Sequence, residues 1–194
     1  MFILNDNIFM IYKFLGEKID YDGTQLSPHW IYKNFGLQGD AMIAFCGAAD
    51  VKLTEMVDIE DVLNDEPIYS ENMLHFIEEK FNVPLIGGIL RQRMLVVTAK
   101  EAIEEMTGKS LIRHGDDLYF DDKKLSVSIA TCSLNSTLIH FAMNVTSDNT
   151  PIPTSGLISE LGLHNIKELA ERILMMYTEE MKHIYLASCK VRGV

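Results

Sequence analysis

The stretch Gly115-Asp-Asp-Leu-Tyr-Phe-Asp-Asp-Lys-Lys-Leu-Ser126 gives the clearest indication of how this chain folds. Strand-forming residues fill 118–120, the polar pair Asp121-Asp122 follows, and a second strand-like run begins at Leu125. This pattern predicts two strands joined by a tight turn. Lys124 begins the return strand near several carboxylates, where its three ammonium donors could hold a phosphate or a carboxylate. A plain surface hairpin decorated with charges explains the same residues, and the residues alone favour that simpler interpretation.

Helix and strand signals alternate on both sides of this hairpin. Ser27-Pro28 is typical of a helix start, and Gly108 is typical of a helix end. Asn165, with Glu168 three residues later, indicates the start of a last helix. Strands are predicted at 8–14, 41–46 and 138–145, and helices at 27–36, 70–81, 88–106 and 165–187. The order predicts an α+β fold, with a mostly antiparallel sheet flanked by helices, in a single domain spanning 1–194.

Composition and charge make several classes of partner unfavourable, although a local basic groove remains compatible with them. The chain has 194 residues, of which 47% are hydrophobic, enough for an ordinary packed core. Its 28 acidic and 17 basic residues give a net charge of −11, which disfavours nucleic-acid backbones and anionic membranes. No segment approaches the ~18 apolar residues that cross a bilayer. Three widely spaced cysteines indicate reduced thiols, so we expect a cytoplasmic protein: Cys46, Cys132 and Cys189.

The acidic run and the histidines are the remaining polar features. Residues 50–66 carry seven carboxylates, and such a run predicts a solvated connection. Whether this segment orders over a ligand stays open. No histidine pair has the helical spacing of a metal site, so we expect structural or exposed roles for His29, His75, His114 and His140, and no metal site.

The hairpin stretch resembles the motif of biotin–protein ligases that reads W-P-N-D-L-Y, four variable residues, K-L-A-G. It keeps the Asp-Leu-Tyr and the Lys-Leu at the right separation. Gly23-Thr24-Gln25 resembles their S-T-N, Gly39–Ala44 resembles their G-D-A-x-x-A strand, and Phe141–Val145 matches their G-I-G-I-N-V strand. The similarity runs in order over about 20–146. It implies the fold shared by biotin and lipoate protein ligases and class II aminoacyl-tRNA synthetases. The chain as a whole looks closest to the family called domain of unknown function 366.

The resemblance also implies roles for individual residues. It places Lys124 at the activated carbonyl and phosphate of the bound acid, and it places Asp117 where it orients Lys124 or an amine. Thr24 and Gln25 would line the acyl pocket. The remaining candidates for substrate binding are Gly115, Asp116, Ser126, Arg91, Arg93 and Asn144.

One departure from the ligase pattern bears on the chemistry. Biotin ligases follow the G-D-A strand with an arginine- and glycine-rich loop, whereas this chain has the acidic segment Gly47–Asp58, with one lysine. A loop without arginine cannot make bidentate phosphate contacts, so ATP with magnesium is a weakened expectation. Arg91 and Arg93 either replace the missing cations or are exposed helix residues.

Three functions remain open. The first is an acyl-transferase or ligase-like enzyme acting on a small carboxylate or its activated form, with an acceptor protein as a possible partner and a homodimer as a possible assembly. The second is a non-catalytic module that binds a small molecule or nucleotide. The third, RNA-related chemistry, ranks lowest because the arginine motifs of class II synthetases are missing and the net charge is −11.

Overall fold

A computed structural model describes residues 9–65, 68–148, 150 and 152–193. The strands of this part are β1 (Ile11–Lys18), β2 (Ala41–Val51), β3 (Ile68–Phe81), β4 (Ile112–His114), β5 (Asp117–Phe120), β6 (Lys123–Lys124), β7 (Ser126–Cys132) and β8 (Ser136–Asn144). The helices are α1 (Trp30–Phe35), α2 (Ile59–Asn64), α3 (Leu85–Thr107) and α4 (Ile166–Ser188), and a 3-10 turn covers Leu53–Glu55. The predicted α+β class is confirmed.

Five strands form the main sheet in the order β1-β2-β3-β8-β7. Only β1 and β2 pair in parallel; the other neighbouring strands of this sheet are antiparallel. A small second sheet has the order β4-β5-β6. The predicted arrangement, mostly antiparallel and flanked by helices, is therefore confirmed as well.

The two faces of the main sheet have different coverings. On β3, Leu74 and Phe76 belong to a core that includes residues of α3 and α4. Side chains alternate along a strand, so Met73 and His75 lie on the opposite face. There Ile77 packs in a second cluster with Ile31 of α1. A cavity lies on another part of the same face.

The sequence prediction of a helix over 70–81 was wrong. Those residues form most of β3, which pairs with β2 on one side and β8 on the other. A central strand buried on both faces loses the alternation that identifies a half-buried strand. The apolar residues Leu74, Ile77 and Phe81 then imitate helical spacing, although Leu74 and Ile77 point to opposite faces.

The hairpin has the predicted tight turn. Asp121 and Asp122 have φ of +49° and +61°, the left-handed values required at both central residues of a two-residue hairpin turn. This turn pairs Tyr119 with Lys124. The return strand is then interrupted at Leu125, after which β7 joins the main sheet.

Other predicted elements shift by a few residues. The first strand, predicted over 8–14, is Ile11–Lys18, and residue 8 lies outside the described part. The long helix begins at Leu85 and ends before Gly108, as the glycine predicted. Asn165 caps the last helix by accepting a hydrogen bond from the Glu168 N–H at 3.2 Å. No helix in the described ranges is both long enough and apolar enough to cross a membrane.

Candidate functional site

A cavity of about 260 Å³ lies on the face of the main sheet opposite α3 and α4. Its floor includes Met73, Val127 and Ile129, which give it an apolar surface. Its wall includes residues of the acidic segment: Glu55, Met56, Val57, Asp58 and Asp61. The solvated connection predicted for 50–66 agrees with the exposure of most of the described residues 50–65, and the 3-10 turn and α2 of this segment also enclose the cavity from one side.

Lys124 and Asp117 form an ion pair at the cavity, with Nζ 2.9 Å from Oδ2. Asp117 lies two residues from Tyr119, the pairing partner of Lys124, so the two side chains are diagonal neighbours on the hairpin. Burial alone would lower the pKa of Lys124, but the hydrogen bond and charge of Asp117 outweigh it, with smaller contributions from Tyr119 and Asp61, and raise that pKa. Burial raises the pKa of Asp117, and Lys124 limits the increase. Lys124 is therefore a fixed cation at neutral pH.

Asp116 also lines the cavity and is held by α3. Its Oδ1 accepts a hydrogen bond from Arg93 Nη1 at 2.9 Å, and its Oδ2 accepts one from Gln92 Nε2 at 2.9 Å. Gly115 has a φ of +63°, and a Cβ there would lie 2.7 Å from Arg93 Nη1. Arg93 and Gly115 thus position the site from outside the cavity lining.

Further polar residues line the cavity, among them Ser126, Asn144 and Ser70. Ser126 Oγ accepts a hydrogen bond from the Leu118 N–H at 2.8 Å, and Asn144 Nδ2 donates to the Ser155 carbonyl at 3.3 Å. Ser70 differs from both, because its hydroxyl has no hydrogen-bond partner among the described residues, although only 3% of the residue is exposed. Its hydroxyl is therefore a buried polar group that carries an uncompensated desolvation cost.

Tyr21 and His140 line another part of the cavity. Their rings stack with centroids 3.7 Å apart and planes 11° apart. Behind them His140 Nε2 lies 3.1 Å from His75 Nδ1, and His75 Nε2 lies 3.2 Å from the Gly47 carbonyl oxygen. Burial lowers the pKa of His75 to about 4, although the Gly47 hydrogen bond and the charge of Asp20 oppose the decrease. Burial, with His75 nearby, also lowers the pKa of His140.

The structure brings half of the ten sequence candidates together. The cavity lining contains Lys124, Asp117, Asp116, Ser126 and Asn144. The side chains of Thr24, Gln25, Arg91 and Arg93, together with Gly115, are not part of it.

The side chains of Thr24 and Gln25 are used within their own turn. Thr24 Oγ1 donates to Asp22 Oδ1 at 2.6 Å. Gln25 donates from Nε2 to the Asp20 carbonyl at 3.1 Å and accepts from the Asp22 N–H at 3.1 Å. The neighbouring Leu26 lines the cavity instead.

Arg91 lies on the other face of the sheet. Its Nε donates to Glu78 Oε1 at 2.6 Å, and Glu78 is fully buried. Arg91 therefore does not supply the cation that the acidic loop lacks.

The charge of the cavity does not fit a nucleoside triphosphate well. Among the described residues that line it, Lys124 is the one cation, against the carboxylates of Glu55, Asp58, Asp61, Asp116 and Asp117. Like charges at this density would repel a polyphosphate. The described part of the chain contains no cluster of three or more histidine, cysteine, aspartate or glutamate side chains arranged to hold a metal ion.

Comparison with known proteins identifies the family of the chain. The family described as Domain of unknown function (DUF366) matches residues 10–192. An uncharacterized protein of Methanocaldococcus jannaschii is 37% identical over 188 residues, which cover 94% of this chain and 85% of that protein.

Solved structures extend the comparison to the fold. A protein of unknown function from Pyrococcus horikoshi superposes with a TM-score of 0.89 and 36% identity, covering 95% of this chain and 99% of the other. A mutant biotin protein ligase from Aquifex aeolicus in complex with biotin gives 0.61 and 18%, covering 90% and 71%. A candidate lipoate protein ligase from T. acidophilum with bound lipoic acid gives 0.61 and 12%, covering 90% and 86%. The chain belongs to the DUF366 family and has the fold of the biotin and lipoate protein ligases.

Proposed function

We propose that the chain is an acyl-transferase or ligase-like enzyme that acts on a small carboxylate or its activated form. The observation that carries this proposal is the Lys124–Asp117 ion pair at the edge of an apolar-floored cavity. Proteins of the same fold were solved with biotin and with lipoic acid, which are both carboxylic acids with ring-bearing tails. The acyl chain would lie along the floor of the cavity, with its carbonyl at Lys124.

Lys124 has the donors that such a carbonyl needs. An ammonium has three N–H donors, and the ion pair with Asp117 uses one of them. The other two are free to bind the acyl oxygen. When an acceptor amine attacks the carbonyl carbon, negative charge develops on that oxygen, and a fixed cation there stabilises it. Asp117 acts as a positioning residue that holds the ammonium in place.

The reaction is a transfer of the acyl group. A carbon–nitrogen bond forms to the amine, the bond to the leaving group breaks, and the amine's proton leaves with that group or with water. The carboxylates around Lys124 favour an acyl donor of low negative charge and an acceptor that arrives as a cationic amine, such as a lysine of an acceptor protein. That ammonium loses one proton to water before it attacks as the neutral amine. The same carboxylates disfavour free ATP as the partner in this cavity.

Lys123 provides a matched control for Lys124. It is the neighbouring residue of the same strand, and it is exposed and outside the cavity lining. We expect biotin, lipoic acid or octanoate to bind the wild type in calorimetry, at least tenfold weaker binding in Lys124→Ala, and unchanged binding in Lys123→Ala. Turnover of the corresponding acyl thioesters with an amine should disappear in Lys124→Ala. Unchanged turnover there would overturn the role of Lys124.

A second candidate is a non-catalytic module that binds a small molecule. The acidic wall favours it, because a binder needs the shape of the cavity without a loop that closes over phosphates. The two functions differ in product: a binder would show Lys124-dependent ligand binding and no acyl transfer to any amine.

A further inference from the structure

His140, which lines the cavity, and His75 behind it have no role in the acyl-transfer step. Ile129 pairs with His140 across β7 and β8 and lies five residues along the chain from Lys124. Lys124 and His140 thus line different parts of the same cavity. A ligand whose carbonyl binds Lys124 would therefore place the tip of its tail near His140.

The hydrogen bonds fix where the protons of both imidazoles sit. The Gly47 carbonyl can only accept, so His75 Nε2, 3.2 Å away, carries a hydrogen. Both rings are neutral at pH 7 because burial lowers their pKa values. His75 Nδ1 is then an acceptor, and His140 Nε2, 3.1 Å away, must donate to it. The remaining nitrogen, His140 Nδ1, carries a lone pair, and the hydrogen bonds of the described residues leave it without a protein partner.

We propose that His140 Nδ1 accepts a hydrogen bond from the distal end of the substrate's acyl chain. The substrate is then a carboxylic acid, or its activated form, whose tail ends in a neutral N–H or O–H donor such as a hydroxyl or an amide. This inference rests on the proposed function, since it uses Lys124 to orient the acid. It adds the type of chemical group at the distal end of the acyl chain.

The surroundings of His140 narrow the class of donor. His140 is 2% exposed and stacked on Tyr21, and His75, with no exposure, lies behind it. A charged ammonium tail would lose its hydration there without a carboxylate partner, whereas a neutral donor loses far less. A plain alkyl tail would leave Nδ1 unpaired, a cost that corresponds to roughly tenfold or more in affinity.

Paired probes test the preference directly. Calorimetry would compare 8-hydroxyoctanoate with octanoate and 10-hydroxydecanoate with decanoate, each pair differing by one terminal hydroxyl. We expect one hydroxy acid to bind the wild type at least fivefold more tightly than its plain partner. His140→Phe keeps a ring against Tyr21 and should abolish that difference. His114→Phe, at an exposed position outside the cavity lining, should retain it.

A second measurement uses the wild-type protein alone and needs no ligand. Nitrogen-15 NMR of the imidazoles at pH 7 should show His75 and His140 both neutral and both protonated on Nε2. A hydrogen on His140 Nδ1 would overturn the inference. So would equal affinities within both probe pairs, and if those affinities still fell in Lys124→Ala, the proposed function would survive. A hydroxyl preference together with affinities that Lys124→Ala left unchanged would instead contradict the proposed function alone, and binding of none of the four acids would overturn both.

Discussion

Tyr177 donates a hydrogen bond from its hydroxyl to Glu78 Oε2 at 2.5 Å, joining the last helix to the central strand of the sheet. Arg91, on the long helix, binds the other oxygen of the same carboxylate. Glu78 has no solvent exposure, so these two partners provide the compensation that a buried charge requires. One carboxylate behind the cavity floor thereby joins β3 to the following helix α3 and to the distant helix α4.

Tyr177→Phe should destabilise the protein by about 2 kcal/mol, because a hydrogen bond to a charged, buried group is lost while the ring remains. Urea unfolding monitored by circular dichroism measures the change. Tyr185→Phe on the same helix is the matched control, since Tyr185 is 55% exposed, and it should change the free energy of unfolding by less than ~0.5 kcal/mol. Equal effects of the two variants would contradict a structural role for the Tyr177 hydroxyl.

Stability should decrease as the pH falls from about 6.5 to about 4. Burial holds the pKa of His75 near 4, against 6.5 for an ordinary histidine, so in this window the unfolded chain binds a proton that the folded chain does not. The free energy of unfolding therefore rises with pH. His75 alone contributes about 3 kcal/mol to it, and this contribution is complete above about pH 6.5.

Chemical denaturation at several pH values tests this dependence. His75→Phe removes the titrating group, so its free energy of unfolding should vary less with pH, even though the variant is less stable overall. His183→Gln changes an exposed histidine and should leave the wild-type pH dependence intact. An unchanged pH dependence in His75→Phe would show that His75 is not the group responsible.

Ser70→Ala should stabilise the free protein by about 1 kcal/mol and weaken the binding of an acid ligand. The Ser70 hydroxyl lines the cavity and is buried without a hydrogen-bond partner among the described residues, so its removal ends a desolvation cost. Ser126→Ala gives the opposite sign, because the Ser126 hydroxyl accepts a 2.8 Å hydrogen bond from the Leu118 N–H. Thermal unfolding of both variants, with and without ligand, measures the contrast. Destabilisation by Ser70→Ala would mean that its hydroxyl already has a partner.

Asp58→Ala should loosen the acidic wall of the cavity. Asp58 Oδ1 caps α2 by accepting a 2.9 Å hydrogen bond from the Glu60 N–H, and the loss of such a cap costs about 1 kcal/mol. The Val62 amide, which donates to the Asp58 carbonyl, should then exchange with deuterium about fivefold faster. Asp58→Asn keeps the cap and removes a negative charge, so its exchange should match the wild type. Equal acceleration in both variants would point to the charge instead of the cap.

The parts of the site that sequence could predict are local. The strand–turn–strand pattern of the hairpin brings Asp117 and Lys124 close together, and in the structure Lys124 Nζ lies 2.9 Å from Asp117 Oδ2. The helix ends at Gly108 and Asn165 were also predictable, because caps depend on a few neighbouring residues.

The parts that sequence could not predict depend on contacts between distant residues. His75 meets His140 only through the register of β3 against β8, and β3 itself imitates a helix because both of its faces are buried. Arg91 and Arg93 lie two residues apart on α3, yet one binds Glu78 behind the sheet and the other binds Asp116 beside the cavity. That division follows from the direction each helical position faces, which only the packed structure provides.

The two aspartates of the hairpin turn have a consequence for how this site tolerates changes in chain length. Neither Asp121 nor Asp122 lines the cavity, yet their left-handed conformations determine which lysine pairs with Tyr119. If one residue were inserted after Asp122 and the two-residue turn were kept, Tyr119 would pair with Lys123 instead. Side chains alternate, so Lys124 would then point away from the cavity. A lengthening at the surface would thus exchange the two lysines without altering a single residue of the cavity wall.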